Sequence, residues 1–168
     1  AASELLVLLF LAVFGALASF VREADRGTLD GLRSAPVPPE AVYVSKLVYT
    51  FLLMLVNVLA YSMAVAVFGG LVEAFSAPVL SAVVASSLYL AAVSSLSSAI
   101  LVFSEARGVL MPVMVLVLAL PYVQLAAPVL AAGFAGGGSV LDAAGLAAAA
   151  AGFVAVAAWL SRYVLEVF

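Results

Sequence analysis

Five apolar runs dominate this chain: Leu5–Val21, Leu47–Phe68, Val79–Phe103, Val109–Ala131 and Gly145–Leu165. Crossing about 30 Å of hydrocarbon takes about 20 apolar residues as a helix. Inside lipid each backbone amide must find its partner within its own segment, so helix is required rather than preferred. The chain is therefore expected to be an all-α integral membrane protein with about five transmembrane helices. Its surface chemistry agrees: 68% of residues are hydrophobic and 9% charged, whereas a soluble domain is about a quarter charged. Residues 1–168 read as one transmembrane domain, with no convincing internal repeat.

The joints between runs locate the charges. Arg22–Lys46 is the one long polar interval, and it holds four of the six basic residues: Arg22, Arg26, Arg33 and Lys46. Arg107 falls in the third joint and Arg162 near the end of the chain. With five spans, all six lie on one side. The other side carries Glu4, Glu73 and Asp142 and no base. Lys/Arg bias marks the cytoplasmic side. The expected topology puts the N-terminus of this chain outside, with residues 22–46 and the C-terminus in the cytoplasm, in a multi-pass protein of the cytoplasmic membrane.

Several functions are excluded or disfavoured. Cysteine and histidine are both absent, which removes thiol nucleophiles, Cys/His metal sites and triads built on His. No basic-aromatic patch points to nucleic acid. No phosphate-binding G-x-x-x-x-G-K-[ST] loop occurs. No Asp, Glu, Lys or Arg falls in the middle of a span, where proton- or ion-coupled carriers place such groups. Nothing reads as catalytic. If the chain moves a substrate, the energy must come from another subunit. Met54, Met63, Met111 and Met114 read as core or lipid-facing residues, and no pair of haem axial ligands stands out.

The polar interval has its own internal order. Gly27 is expected to break the helix leaving the membrane. Thr28 can cap a short new helix, TLDGLRSA, with Leu29 and Leu32 on one face at i, i+3. Pro36 stops it. Pro39 suits a first helical position and Glu40 the positive end of a helix. The next helix then enters the membrane past Tyr43 and Lys46, read as an interfacial pair. The product is a short surface helix. It is either an ordinary amphipathic loop or a knob on which a soluble partner docks.

Within the spans the polar residues are few. Asn57, Gln124 and a serine face, Ser87, Ser94 and Ser98 with Ala91, are candidates for the wall of a translocation path. The competing reading is close helix packing, with hydroxyls bonded to backbone carbonyls. Gly145, Ala149 and Gly152 form a small-residue face suited to a neighbouring helix or a second protomer. Pro112, Pro121 and Pro128 are expected to kink the fourth span. The glycine-rich stretch after it is expected to be a flexible loop or a partial re-entrant turn.

The pattern R-E-x-x-x-G-T-L-x-x-L-x-x-x-P, here Arg22, Glu23, Gly27, Thr28, Leu29, Leu32 and Pro36, with Lys46 opening the next span, resembles the coupling-helix region of type-2 ABC exporter permeases. The fourth span opens on Gly108-Val109-Leu110 and centres on Leu120-Pro121-Tyr122. With the tail Tyr163–Glu166, these are similar to the haem exporter permease family of cytochrome c maturation, the CcmB-type permeases. The resemblance implies six spans with both termini inside; this chain looks like that fold without its first span. It also implies a short cytoplasmic coupling helix docked on an ABC ATPase. Leu29 and Leu32 would fill a groove, with Arg22, Glu23, Asp30 and Arg33 as rim charges. It further implies a second permease subunit, identical or different, and association with other cytochrome c maturation proteins. No cofactor would be bound directly, ATP being used by the partner. Rival readings are a type-2 ABC permease for lipid, drug or polysaccharide, and a non-transporting membrane scaffold for haem-handling proteins.

Overall fold

The computed structural model describes residues 1–21, 26–27, 31, 37–70, 75–102 and 104–166. One long helix occupies each apolar run and overruns it at one or both ends. The helices are α1 (Ala2–Ala16), α2 (Pro39–Gly69), α3 (Ala77–Leu101), α4 (Arg107–Phe134) and α5 (Val140–Glu166). All five are long and apolar enough to cross a membrane, and no strand occurs among the described residues. At the end of α1 the chain passes into a π turn over Leu17–Val21, where Ser19 leaves helical backbone angles (φ −80°, ψ −114°).

Local chemistry sets the boundaries. Pro38 is extended (φ −63°, ψ 142°), Pro39 opens α2 and Glu40 lies in its first turn. Proline belongs there because the first helical amide has no intrahelical acceptor to lose. The α3–α4 joint is a tight turn, closed by hydrogen bonds from Ser104 N to Leu101 O (3.0 Å) and from Arg107 N to Ser104 O (3.2 Å). The α4–α5 joint is equally short. Gly136 takes φ +75°, Gly137 N donates back to Ala132 O at 3.0 Å, and Ser139 Oγ accepts from Leu141 N at 3.1 Å. Residues 135–139 therefore form a compact reversal rather than the re-entrant element the glycines could have made. α4 runs unbroken through Pro112, Pro121 and Pro128.

α3 is the axis of the bundle. It packs on all four other helices, which surround it in the order α1, α2, α5, α4; of the neighbouring pairs, α4 and α5 touch least. In α3, 78% of the most apolar stretch is buried, against 17–39% in the others. Its sequence explains the position. Serine and alanine occupy most of its buried turns, and small side chains let neighbouring backbones approach from every side. With no water to solvate them, three of these buried hydroxyls turn to carbonyls. Ser86 and Ser87 donate to Ala82 O and Val83 O, both at 2.8 Å. Ser94 Oγ lies 2.7 Å from both Leu90 O and Ala12 O, tying α3 to α1.

Two apolar cores result. The larger joins α1 and α4 to α3, the middle of α2 and the first half of α5. The smaller contains Tyr43 and Leu47 of α2, Ala92 and Leu96 of α3, and Ala157 of α5. Between α3, α4 and α5, the Tyr89 ring stacks on Tyr122 and tilts against Phe153 (centroids 4.6 Å apart). Glu4 lies at the end opposite the bases. It sits near the end of a span, but it is buried between α1 and α2 rather than held in water, with Oε1 accepting from Ser62 Oγ at 3.0 Å.

Candidate coupling face and candidate path residues

The basic end of the bundle is built by three pieces of chain: the approach to α2, the α3–α4 turn and the last turns of α5. Among the described residues, Arg26, Lys46, Arg107 and Arg162 all belong to this end. Gly27, expected to break the helix, stands in an exposed turn at φ +67°. That is left-handed backbone, which glycine adopts without steric cost. The expectations for Arg22, Glu23, Thr28, Leu29, Asp30, Leu32, Arg33 and Pro36 fall outside the described residues.

Val37 and Pro38 are exposed. Glu40, half-buried, receives Nε and Nη2 of Arg162 on its Oε1, each at 2.5 Å. One turn further, Tyr43 is fully buried and its hydroxyl donates to Ala92 O at 3.2 Å. This corrects the reading of Tyr43 as an interfacial partner of Lys46. The ring faces α3 because the small Ala92 leaves room for it, and the carbonyl of that turn, buried with it, gives the hydroxyl a partner. At the α3–α4 turn, Arg107 Nη1 donates to Val102 O at 3.3 Å.

The candidate path residues are not brought to one wall. Ser87, Ser94 and Ser98 lie inside the protomer, fully buried on α3, where Ser87 and Ser94 serve packing by the hydrogen bonds given above. Asn57 and Gln124 are exposed on the outer surfaces of α2 and α4. Asn57 Nδ2 donates to Leu53 O at 2.7 Å, within its own helix. Gly145 and Gly152 are also exposed, and a methyl group added at either would meet nothing. Ala149 is half-buried against the larger core. No group of His, Cys, Asp or Glu suited to a metal occurs among the described residues.

Sequence reasoning missed three contacts: Glu40–Arg162, Glu4–Ser62 and the Tyr89–Tyr122–Phe153 cluster. The first had a signal, because an unmatched acid at the head of α2 and a base near the end of α5 share the basic end. The other two depend on which helices adjoin α3.

No curated protein and no solved structure matches the chain. Its residues 1–136 match the model of the ABC-2 family transporter proteins, a stretch that closes at the turn after α4 and leaves α5 outside. These helices, with their single basic end, are thus those of a multi-pass membrane transport component, and the chain belongs to the ABC-2 transporter family.

Proposed function

We propose that this chain is the permease subunit of an ABC-type exporter, powered by a separate cytoplasmic ATPase that docks on residues 22–36. In this reading the basic end faces the cytoplasm and the chain's N-terminus lies outside, following the Lys/Arg bias. Leu29 and Leu32 enter a groove of the ATPase, with Arg22, Glu23, Asp30 and Arg33 around them. The partner binds and hydrolyses ATP; this subunit performs no chemistry. Membership of the ABC-2 family carries the proposal. The apolar interior agrees with it, since it offers no charged relay in mid-span to power transport from within.

A complete path needs a second permease subunit. Asn57 and Gln124 face away from their own bundle, and in this reading a second protomer encloses them. Of the possible cargoes, the sequence resemblance favours haem export for cytochrome c maturation. A lipid, drug or polysaccharide cargo fits the family equally well. Tyr122 of the Leu-Pro-Tyr motif is engaged in packing, so that motif does not distinguish the cargoes.

Replacing Leu29 and Leu32 together by Asp tests the docking. The variant is expected to insert normally and to lose co-purification with the ATPase; retained co-purification would overturn the reading. ATP turnover by the reconstituted complex, with haem, lipid or no addition, separates the cargo classes and a non-transporting scaffold.

A further inference from the structure

We propose that Glu40 and Arg162 are a positioning pair that carries displacement of the coupling segment from the head of α2 into α5. The inference rests on the exporter reading above.

Consider first how α2 begins. Pro38 and Pro39 precede Glu40 directly, with Pro38 in the extended conformation. Each proline fixes its own φ, so Pro38 and Pro39 leave little slack at the entry to the helix. A push arriving at Pro38 reaches the first turn of α2 directly. That turn is then held on two sides. Glu40 is gripped by two nitrogens of Arg162, in the last turns of α5. Tyr43, one turn on, is wholly buried and bonded to Ala92 O of α3.

Next consider what those holds belong to. Tyr43, Leu47, Ala92, Leu96 and Ala157 form an apolar core of their own, separate from the larger one that contains α1 and α4. The head of α2, the second half of α3 and the last turns of α5 are thus one packed unit at the basic end. Glu40–Arg162 closes its rim. Because the pair is about half exposed on both sides, it adds little to stability. What it supplies is direction: without it, α2 can pivot about Tyr43 while α5 stays behind.

Two features make the test clean. The chain has no cysteine, so introduced cysteines are the only labelling sites in this subunit. Phe68 and Leu141, at the far ends of α2 and α5, are 90% and 82% exposed, so spin labels fit there without repacking. The experiment uses the permease with its ATPase in lipid vesicles, carrying Phe68→Cys and Leu141→Cys. Distances between the labels are read by pulsed electron paramagnetic resonance, with and without ATP plus vanadate. The background with Glu40 and Arg162 intact is expected to show an ATP-dependent shift. Glu40→Arg alone and Arg162→Glu alone should keep the ATPase bound and lose the shift. The double exchange, which rebuilds the pair in reverse, should regain it, a rescue that a purely structural loss would not give. A shift that survives both single variants, fails to return in the double, or is absent from the intact background overturns the inference while leaving the exporter reading in place. Failure of the ATPase to co-purify at all overturns both.

Discussion

Tyr89 and Tyr122 lie with ring centroids 4.1 Å apart and planes 13° from parallel. Tyr89 also donates its hydroxyl to Leu118 O at 3.0 Å. The next carbonyl back along α4, that of Val117, is the one whose usual helix donor would be the nitrogen of Pro121. One side chain of α3 therefore supports α4 where proline weakens it. Truncation of Tyr122 to Ala should cost about 3–5 kcal/mol, the range for losing a large buried aromatic side chain. Tyr89→Phe keeps the stack and loses only the hydroxyl contact, for about 0.6 kcal/mol, as is typical inside membranes. Reversible unfolding in mixed detergent micelles would rank the two; equal effects would refute the packing account.

Glycines separate positions where the helices touch from positions where they do not. At Gly15, an added Cβ would lie 2.8 Å from Thr50 Cγ2 and 3.2 Å from Met54 Cε, both on α2. Gly15→Ala should therefore push α1 from α2 and destabilise by about 1–3 kcal/mol, the usual cost of overpacking. Gly145 meets nothing in its own protomer. Gly145→Ala should leave the protomer fold unharmed, or improve it by up to about 1 kcal/mol through helix propensity. Thermal denaturation should show a lowered midpoint for Gly15→Ala and an unchanged or raised one for Gly145→Ala if the α1–α2 crossing is as described.

The carboxyl of Glu4 depends on Ser62. Oε2 is buried with no hydrogen-bond partner, and Oε1 has the Ser62 hydroxyl. Removing that hydroxyl in Ser62→Ala should destabilise by about 1–3 kcal/mol, because the other oxygen is then stranded as well. Adding Glu4→Leu should recover most of the loss, since apolar replacement of both partners leaves nothing unsatisfied. A double-mutant cycle with no coupling between the sites would show that the pair does not form.

These residues also mark where the sequence was legible. The five helices could be read because lipid leaves a spanning backbone no alternative. Gly27 and Pro38–Pro39 could be read because their punctuation is local, and the structure puts left-handed backbone at Gly27 and the start of α2 at Pro39. The serine face of α3 was ambiguous in principle, since a hydroxyl repeat at helical spacing looks the same on a packed face and on a wet wall. Only the ring of helices around α3 places it inside the protomer. Tyr43 was misjudged, and the partner of Glu4 missed, for a related reason. Position near the end of a span was taken to mean contact with water, yet each finds a partner on a neighbouring helix. Glu40 and Arg162 are 122 residues apart, and their meeting depends on α2 and α5 lying side by side.

Orientation in the membrane can be tested from both sides of the same chain. Arg26 stands in the exposed turn at the basic end, and Asp142 is exposed in the first turn of α5 at the other. An odd number of crossings, α2, α3 and α4, separates them, so the two must lie on opposite sides of any membrane these helices span. Because the chain is free of cysteine, Arg26→Cys and Asp142→Cys each create one site. In intact cells a membrane-impermeant maleimide should label Asp142→Cys, while Arg26→Cys should react only once the membrane is opened. The reverse pattern would place residues 22–36 outside the cell. No cytoplasmic ATPase could then reach them, however well Leu29 and Leu32 were presented.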